Sequence, residues 1–149
     1  MFRAPGDPDK FIYYDLHYET DMSGIKAAPC FQIRLCFPFV GVIALADAIK
    51  NNGALVSVNI LTNFIGAEQA QNFVAILKEH PTLKSLCGNK GDETELDMSG
   101  KKMGADGAIM LAPEIVANRA LTSLNISAND LRAEGAKHVA EAVSYTHLR

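Results

Sequence analysis

The chain has no tryptophan, only three cysteines, no excess of basic side chains and no long apolar run, and each of these shortages closes off a class of function. Fourteen Lys and Arg stand against seventeen Asp and Glu, a net charge of -3 and a pI near 5.8. Nucleic acid and anionic membrane surfaces are held chiefly by clustered cations, so neither is an expected partner. The longest apolar stretches fall short of the about 18 residues needed to span a bilayer. The opening Met1-Phe2-Arg3-Ala4-Pro5-Gly6-Asp7-Pro8-Asp9-Lys10 lacks the apolar core and small-residue cleavage site of a secretory signal. Cys30, Cys36 and Cys87 are odd in number and have no zinc-like spacing, which fits free thiols in a reducing, cytoplasmic setting.

What is present is repetition. Leu121-Thr122-Ser123-Leu124-Asn125-Ile126-Ser127-Ala128-Asn129-Asp130-Leu131 places apolar residues first, fourth, sixth and eleventh, with Asn ninth. Leu55-Val56-Ser57-Val58-Asn59-Ile60-Leu61-Thr62-Asn63-Phe64-Ile65 fits the same frame. In both, apolar and polar side chains alternate as in a half-buried strand: Val58, Ile60, Leu124 and Ile126 turn inward, and Ser57, Asn59, Ser123 and Asn125 outward. Leu96 and Met98 hold the matching inward places between them.

Helical stripes recur alongside these strands. Val42, Leu45, Ala46 and Ile49 lie at i, i+3, i+4 and i+7, as do Ala70, Phe73, Val74 and Leu77; Ala108, Leu111, Ala112 and Ile115; and Ala136, Val139, Ala140 and Val143. Their spacing of 28, 38 and 28 residues is that of stacked units. Asn52-Gly53 and Asn118-Arg119 mark helix ends where an Asn commonly turns left-handed, and Pro81 after His80 forbids continuation.

Three features break the pattern. Residues 1 to 40 show no period and read as an irregular arm or degenerate cap, although Glu19-Thr20-Asp21-Met22-Ser23-Gly24 echoes Glu95-Leu96-Asp97-Met98-Ser99-Gly100. The polar segment 87-94 carries about ten residues more than the period allows and is expected to be an exposed excursion. Pro113 should bend the third helix. Residues 144 to 149 form a tail without a capping unit, as in a fragment of a longer array.

From Gly41 to Val143 the chain resembles the leucine-rich repeats, in particular the 28-residue, ribonuclease-inhibitor-like type, in which Leu-x-x-Leu-x-Ile-x-x-Asn-x-Leu leads into a full helix. The resemblance implies an α/β solenoid of about four units over residues 41-143, a partial horseshoe with parallel strands on the concave face and helices on the convex face. It also implies that Asn63 and Asn129 bond to backbone in the strand-to-helix turn. Lys101 replaces that Asn in the third unit.

Little points to catalysis. Ser99-Gly100-Lys101-Lys102-Met103-Gly104-Ala105-Asp106-Gly107 is glycine-rich ahead of a helix but lacks the Gly-Lys-Ser/Thr ending of a phosphate loop, so tight-turn glycines explain it better. His17, His80, His138 and His147 are scattered without metal-site spacing, and no serine sits in a nucleophile elbow. No enzyme activity, cofactor, metal or small-molecule substrate is expected.

The outward strand positions are the candidate binding row: Ser57, Asn59 and Leu61; Ser85 and Cys87; Glu95, Asp97 and Ser99; Ser123, Asn125 and Ser127. The row is small, polar and mildly acidic, without the Trp, Tyr or Arg that favour tight interfaces, and a partner with a basic, extended surface would suit Glu95 and Asp97. The leading expectation is a non-catalytic protein-protein interaction scaffold using this face or its loop rims. An alternative, from similarity to the Ran GTPase-activating proteins, is a small-GTPase regulator that presents Arg132 from a strand-to-helix loop.

Overall fold

A computed structural model describes residues 2-3, 11-17, 30-35 and 38-146, with side chains described for 41-146. In chain order the elements are β1 (Phe2–Arg3), β2 (Phe11–His17), β3 (Cys30–Leu35), α1 (Pro38–Asn51), β4 (Ser57–Asn59), α2 (Ala67–Glu79), β5 (Glu95–Asp97), α3 (Gly104–Ala117), β6 (Ser123–Asn125) and α4 (Arg132–Ser144). The Glu19 to Gly24 echo and the last three residues of the tail lie outside the described residues. Among the described residues no helix is long and apolar enough to cross a membrane.

The first three helices form where their apolar stripes can be covered. Val42, Leu45, Ala46 and Ile49 of α1 are all buried; in α2 Ala70 and Phe73 are buried and Val74 and Leu77 half-buried; in α3 Ala108, Leu111 and Ile115 are buried. The fourth helix is rotated from its expected phase. Gly135, Val139 and Ala142 face inward, while Ala136 and Ala140 are exposed. The cause is close packing on α3: a Cβ added at Gly135 would lie 2.9 Å from both the Ala105 Cα and the Ala108 Cβ. Only a residue without a side chain lets the two helices approach this far, so the glycine and not the alanine row sets the rotation.

The helix ends differ in mechanism from the expected left-handed asparagine. Asn118 caps α3 with extended backbone, φ -80 and ψ 95; its Oδ1 accepts the Ala120 N-H at 3.0 Å and its Nδ2 donates to the Glu93 carbonyl at 3.0 Å. Asn52 does the same locally, accepting from Ala54 N-H at 3.1 Å. Both stop the helix through an Asx turn. His80 ends α2 as a latch: Nδ1 accepts the N-H of Leu83 at 2.9 Å and of Thr82 at 3.3 Å, so the proton sits on Nε2, 3.0 Å from the Asn52 carbonyl it bonds. The helix α3 runs unbroken through Pro113.

The sheet overturns the expected solenoid. A leucine-rich-repeat horseshoe requires one continuous ladder of parallel strands, and here the strands divide into two sheets. One is mixed, in the order β1-β2-β3-β4, with antiparallel β1-β2 and β2-β3 pairs and a parallel β3-β4 pair that sets Phe31 opposite Val58. The other is the parallel pair β5-β6, with Leu96 opposite Leu124. Between them the segment 83-87 makes only two isolated bridges to β4, Ser57 with Ser85 in parallel sense and Asn59 with Cys87 in antiparallel sense.

The ladder stops at residues 85-87 because a carboxylate has taken its donors. Glu114, from α3, is buried at 7% exposure and accepts the N-H of Leu86 at 2.7 Å and of Cys87 at 3.0 Å on Oε1. Its Oε2 accepts from the Ser85 hydroxyl at 2.9 Å and the Asn89 amide at 2.7 Å. Meanwhile the carbonyls of Ser85 and Leu86 accept from Val58 and Ile60, so one edge of this segment faces β4 and Glu114 holds N-H groups that a next strand would have needed. The excursion that follows is tied down at both ends, with Asn89 N-H on Ser85 Oγ and the Glu93 carbonyl on Asn118.

Candidate interaction site

Three strand-to-helix loops, 60-66, 98-103 and 126-131, lie at the ends of β4, β5 and β6, and asparagines bind them internally and to each other. Asn63, 5% exposed, donates from Nδ2 to the Ile60 carbonyl at 2.8 Å. Asn129, 2% exposed, donates to the carbonyls of Ile126 at 2.9 Å and Met98 at 2.6 Å. Its Oδ1 accepts the Met103 N-H at 3.3 Å and its carbonyl the Gly104 N-H at 2.9 Å. The middle loop, which carries exposed Lys101 at the turn position, is thus held from the neighbouring loop by Asn129. Asp106, in the first turn of α3, reaches the first loop and accepts the N-H of Ile65 at 2.8 Å and of Gly66 at 3.3 Å.

The candidate strand row is split by the break in the sheet. Ser57, Leu61, Ser85 and Cys87 are buried, and Asn59 and Ser99 are half-buried. Glu95, Asp97, Ser123, Asn125 and Ser127 are exposed on the β5-β6 pair and its exit. Asn59, Asp97 and Asn125 also shape the backbone, since each accepts the N-H two residues ahead, Leu61 at 3.1 Å, Ser99 at 2.9 Å and Ser127 at 3.1 Å. These are Asx turns that start the loops, a signal present in the Asn/Asp-x-x spacing. For exposed Asp97, the hydroxyl and N-H of Ser99 hold the carboxyl below its usual value.

Electrostatics mark the Glu114 cluster as structural. Burial pushes the Glu114 pKa upward, opposed by the donors from Leu86, Ser85, Asn89 and Cys87, with a net rise. Burial, then the charge of Glu114 and a hydrogen bond to it, push the Cys87 thiol well above its usual range, so it is held as an unreactive thiol. The adjoining cavity, lined by Leu96, Glu114 and Asn118 among others, is about 30 Å³, room for ordered water. Among the described residues no group of three or more His, Cys, Asp or Glu is placed to hold a metal ion.

A more open concavity lies at the tips of the three loops. A cleft of about 290 Å³ is lined by Phe64 from the first loop, Lys102 and Ala105 from the second loop and α3, and Ala128, Asp130 and Arg132 from the third loop and α4. Phe64 is 80% exposed and holds φ 49; Lys102, Ala128, Asp130 and Arg132 are also left-handed, at φ 51, 56, 49 and 56. For a large aromatic residue that backbone region is strained, and it persists because Asn63, Asp106 and Asn129 fix the loops around it. Phe64, Lys102 and Asp130 are surface candidates that strand alternation does not single out. The one signal in the sequence is Phe64 itself, an aromatic residue placed directly after the turn asparagine of the first loop.

No protein-family model matches this sequence, and no curated protein matches it as a relative.

The cleft offers one aromatic face, two cationic side chains and one carboxylate on a fixed frame.

Proposed function

We propose that this protein is a non-catalytic protein-interaction module that meets its partner at the loop tips around Phe64. The observation that carries this reading is the conjunction at one residue: a phenylalanine exposed at 80%, in a strained backbone conformation, on a loop pinned by Asp106 from another element. Leaving a large apolar side chain in water stabilises nothing in the free chain, and strain at the same residue costs about 1-3 kcal/mol. Aromatic residues and arginine are the side chains on which interface energy concentrates, and Phe64 and Arg132 line one cleft. No cofactor, small-molecule substrate, nucleic acid or membrane is part of this reading, and it puts the protein in the cytoplasm.

The test is a photo-reactive amino acid installed at position 64 in the whole chain, with exposed position 133 on α4 as the control. A partner cross-linked at 64 and not at 133 supports the reading; equal yields at both positions sink it. Replacing Glu95 and Asp97 together by Lys separates the two exposed surfaces, since capture that survives this change but not Phe64→Asn belongs to the loop tips.

A further inference from the structure

We infer that the loop-tip cleft is built for an extended acidic peptide segment that carries an apolar anchor residue. The inference rests on the interaction reading above and names the chemistry of the partner. Two cations, Lys102 and Arg132, share the cleft with a single carboxylate, Asp130, so the local balance is positive on a chain whose overall charge is -3. The cations come from different elements, Lys102 from the second loop and Arg132 from the start of α4, and both are exposed. An occupant that satisfies them places negative charges at separate points along its length, as Asp and Glu do in an extended chain.

Asp130 decides between sources of negative charge. Phosphate oxygens, whether of lipid or nucleic acid, only accept hydrogen bonds and would be set against this carboxylate. A peptide offers backbone N-H groups as well, so Asp130 gains a donor while Lys102 and Arg132 take the acidic side chains. The apolar requirement comes from Phe64, Ala105 and Ala128, which leave aromatic and methyl surface open in the same cleft. An apolar anchor covers that surface and gives the contact a fixed register.

The experiment uses the full chain and fluorescently labelled peptides of equal length, read by anisotropy. One alternates Asp and Glu around a single Leu, the second replaces the acids by Lys, the third lacks the Leu, and the fourth carries phosphoserine in place of the acids. The acidic Leu peptide should bind and weaken as salt is raised, and the peptide without Leu should bind less tightly. The affinity of the acidic Leu peptide should fall at least about tenfold in Phe64→Asn and in the double variant Lys102→Glu, Arg132→Glu, with melting curves confirming that both variants fold. Binding of the Lys peptide as tightly, unchanged binding to the charge-reversed variant, or preference for the phosphoserine peptide would overturn the proposal. So would self-association of the chain that disappears in Arg132→Glu, because the occupant would then be a second copy. If cross-linking at 64 finds a partner that the acidic peptide does not displace, the acidic assignment fails and the interaction reading stands; if neither a cross-link nor peptide binding is seen, both fail.

Discussion

At the scale of single residues, two side chains break the usual rules of burial in opposite directions. Glu114 is a buried carboxyl group, and it is tolerated because four donors converge on it. Glu114→Ala would leave the Leu86 and Cys87 N-H groups, the Ser85 hydroxyl and the Asn89 amide without their acceptor, at about 1-3 kcal/mol for a buried group so stranded. We expect a loss of about 3-5 kcal/mol by urea unfolding. Glu114→Gln keeps an oxygen for both backbone donors and should cost only about 1 kcal/mol; equal losses for the two variants would show that packing, not acceptor count, is what Glu114 supplies. Phe64 is the converse, an aromatic held in water with strained backbone. Phe64→Asn replaces it with a residue at ease in the left-handed region, so this variant should be more stable by about 0.5-1 kcal/mol while losing partner capture. A destabilised Phe64→Asn protein would mean that the ring packs on something in the free chain.

At the scale of elements, α4 shows how far apolar periodicity can be trusted. Its alanine row, Ala136 and Ala140, has the right spacing but ends up exposed, because Gly135 can press against Ala105 and Ala108 and the helix turns to let it. Gly135→Ala is therefore a sharp test. In an exposed helix this change gains about 1 kcal/mol; here the new methyl meets α3 backbone at 2.9 Å, and we expect a net loss of about 1-3 kcal/mol in thermal or urea unfolding. A gain would mean α3 and α4 separate freely. The first three helices are legible from their stripes, since each stripe needs only one apolar neighbour. The strands β4, β5 and β6 are also legible, from alternation, but the division into two sheets is not, because a ladder depends on pairings between residues far apart in the chain, such as Ser57 with Ser85. Glu114 is visible as an acidic residue between Leu111 and Ile115 on a buried stripe, yet nothing in its own neighbourhood names Leu86 or Cys87 as its partners. The excursion is recognisable by its length, but length alone does not reveal that its base turns into the carboxylate and ends the sheet. Asn59, Asp97 and Asn125 look like outward binding residues because strand alternation says where a side chain points and not what its oxygen accepts.

Across the described residues, α3 is the element tied to segments beside both sheets. Its first turn holds the loop of β4 through Asp106, its second half holds residues 85-89 through Glu114, its cap Asn118 holds the excursion at Glu93, and its flanks pack on α2 and α4. Two carboxylates around this helix, Glu114 on it and Glu93 in the excursion it holds, have pKa values that move in opposite directions, so the stability of the molecule should depend on pH from both sides. Glu114 is raised, chiefly by burial, so the folded chain binds its proton more readily than the unfolded chain does. Its contribution is complete below the ordinary glutamate value of about 4.3 and is lost as pH rises through the folded value. Glu93 is lowered: burial works upward, but the N-H groups of Lys90, Gly91 and their neighbours outweigh it, with contacts of 2.6 Å and 2.8 Å. Its contribution is complete above about 4.3 and is lost as pH falls through the folded value. Urea midpoints measured from about pH 3 to about pH 8 should therefore show Glu114→Gln removing part of the decline on the alkaline side and Glu93→Gln removing part of the decline on the acid side. Taking each variant as a difference from the natural chain cancels every other titrating group. If the Glu114→Gln difference stays flat above about pH 4.3, the buried carboxylate has no raised pKa and the break in the sheet is held by a freely ionised group.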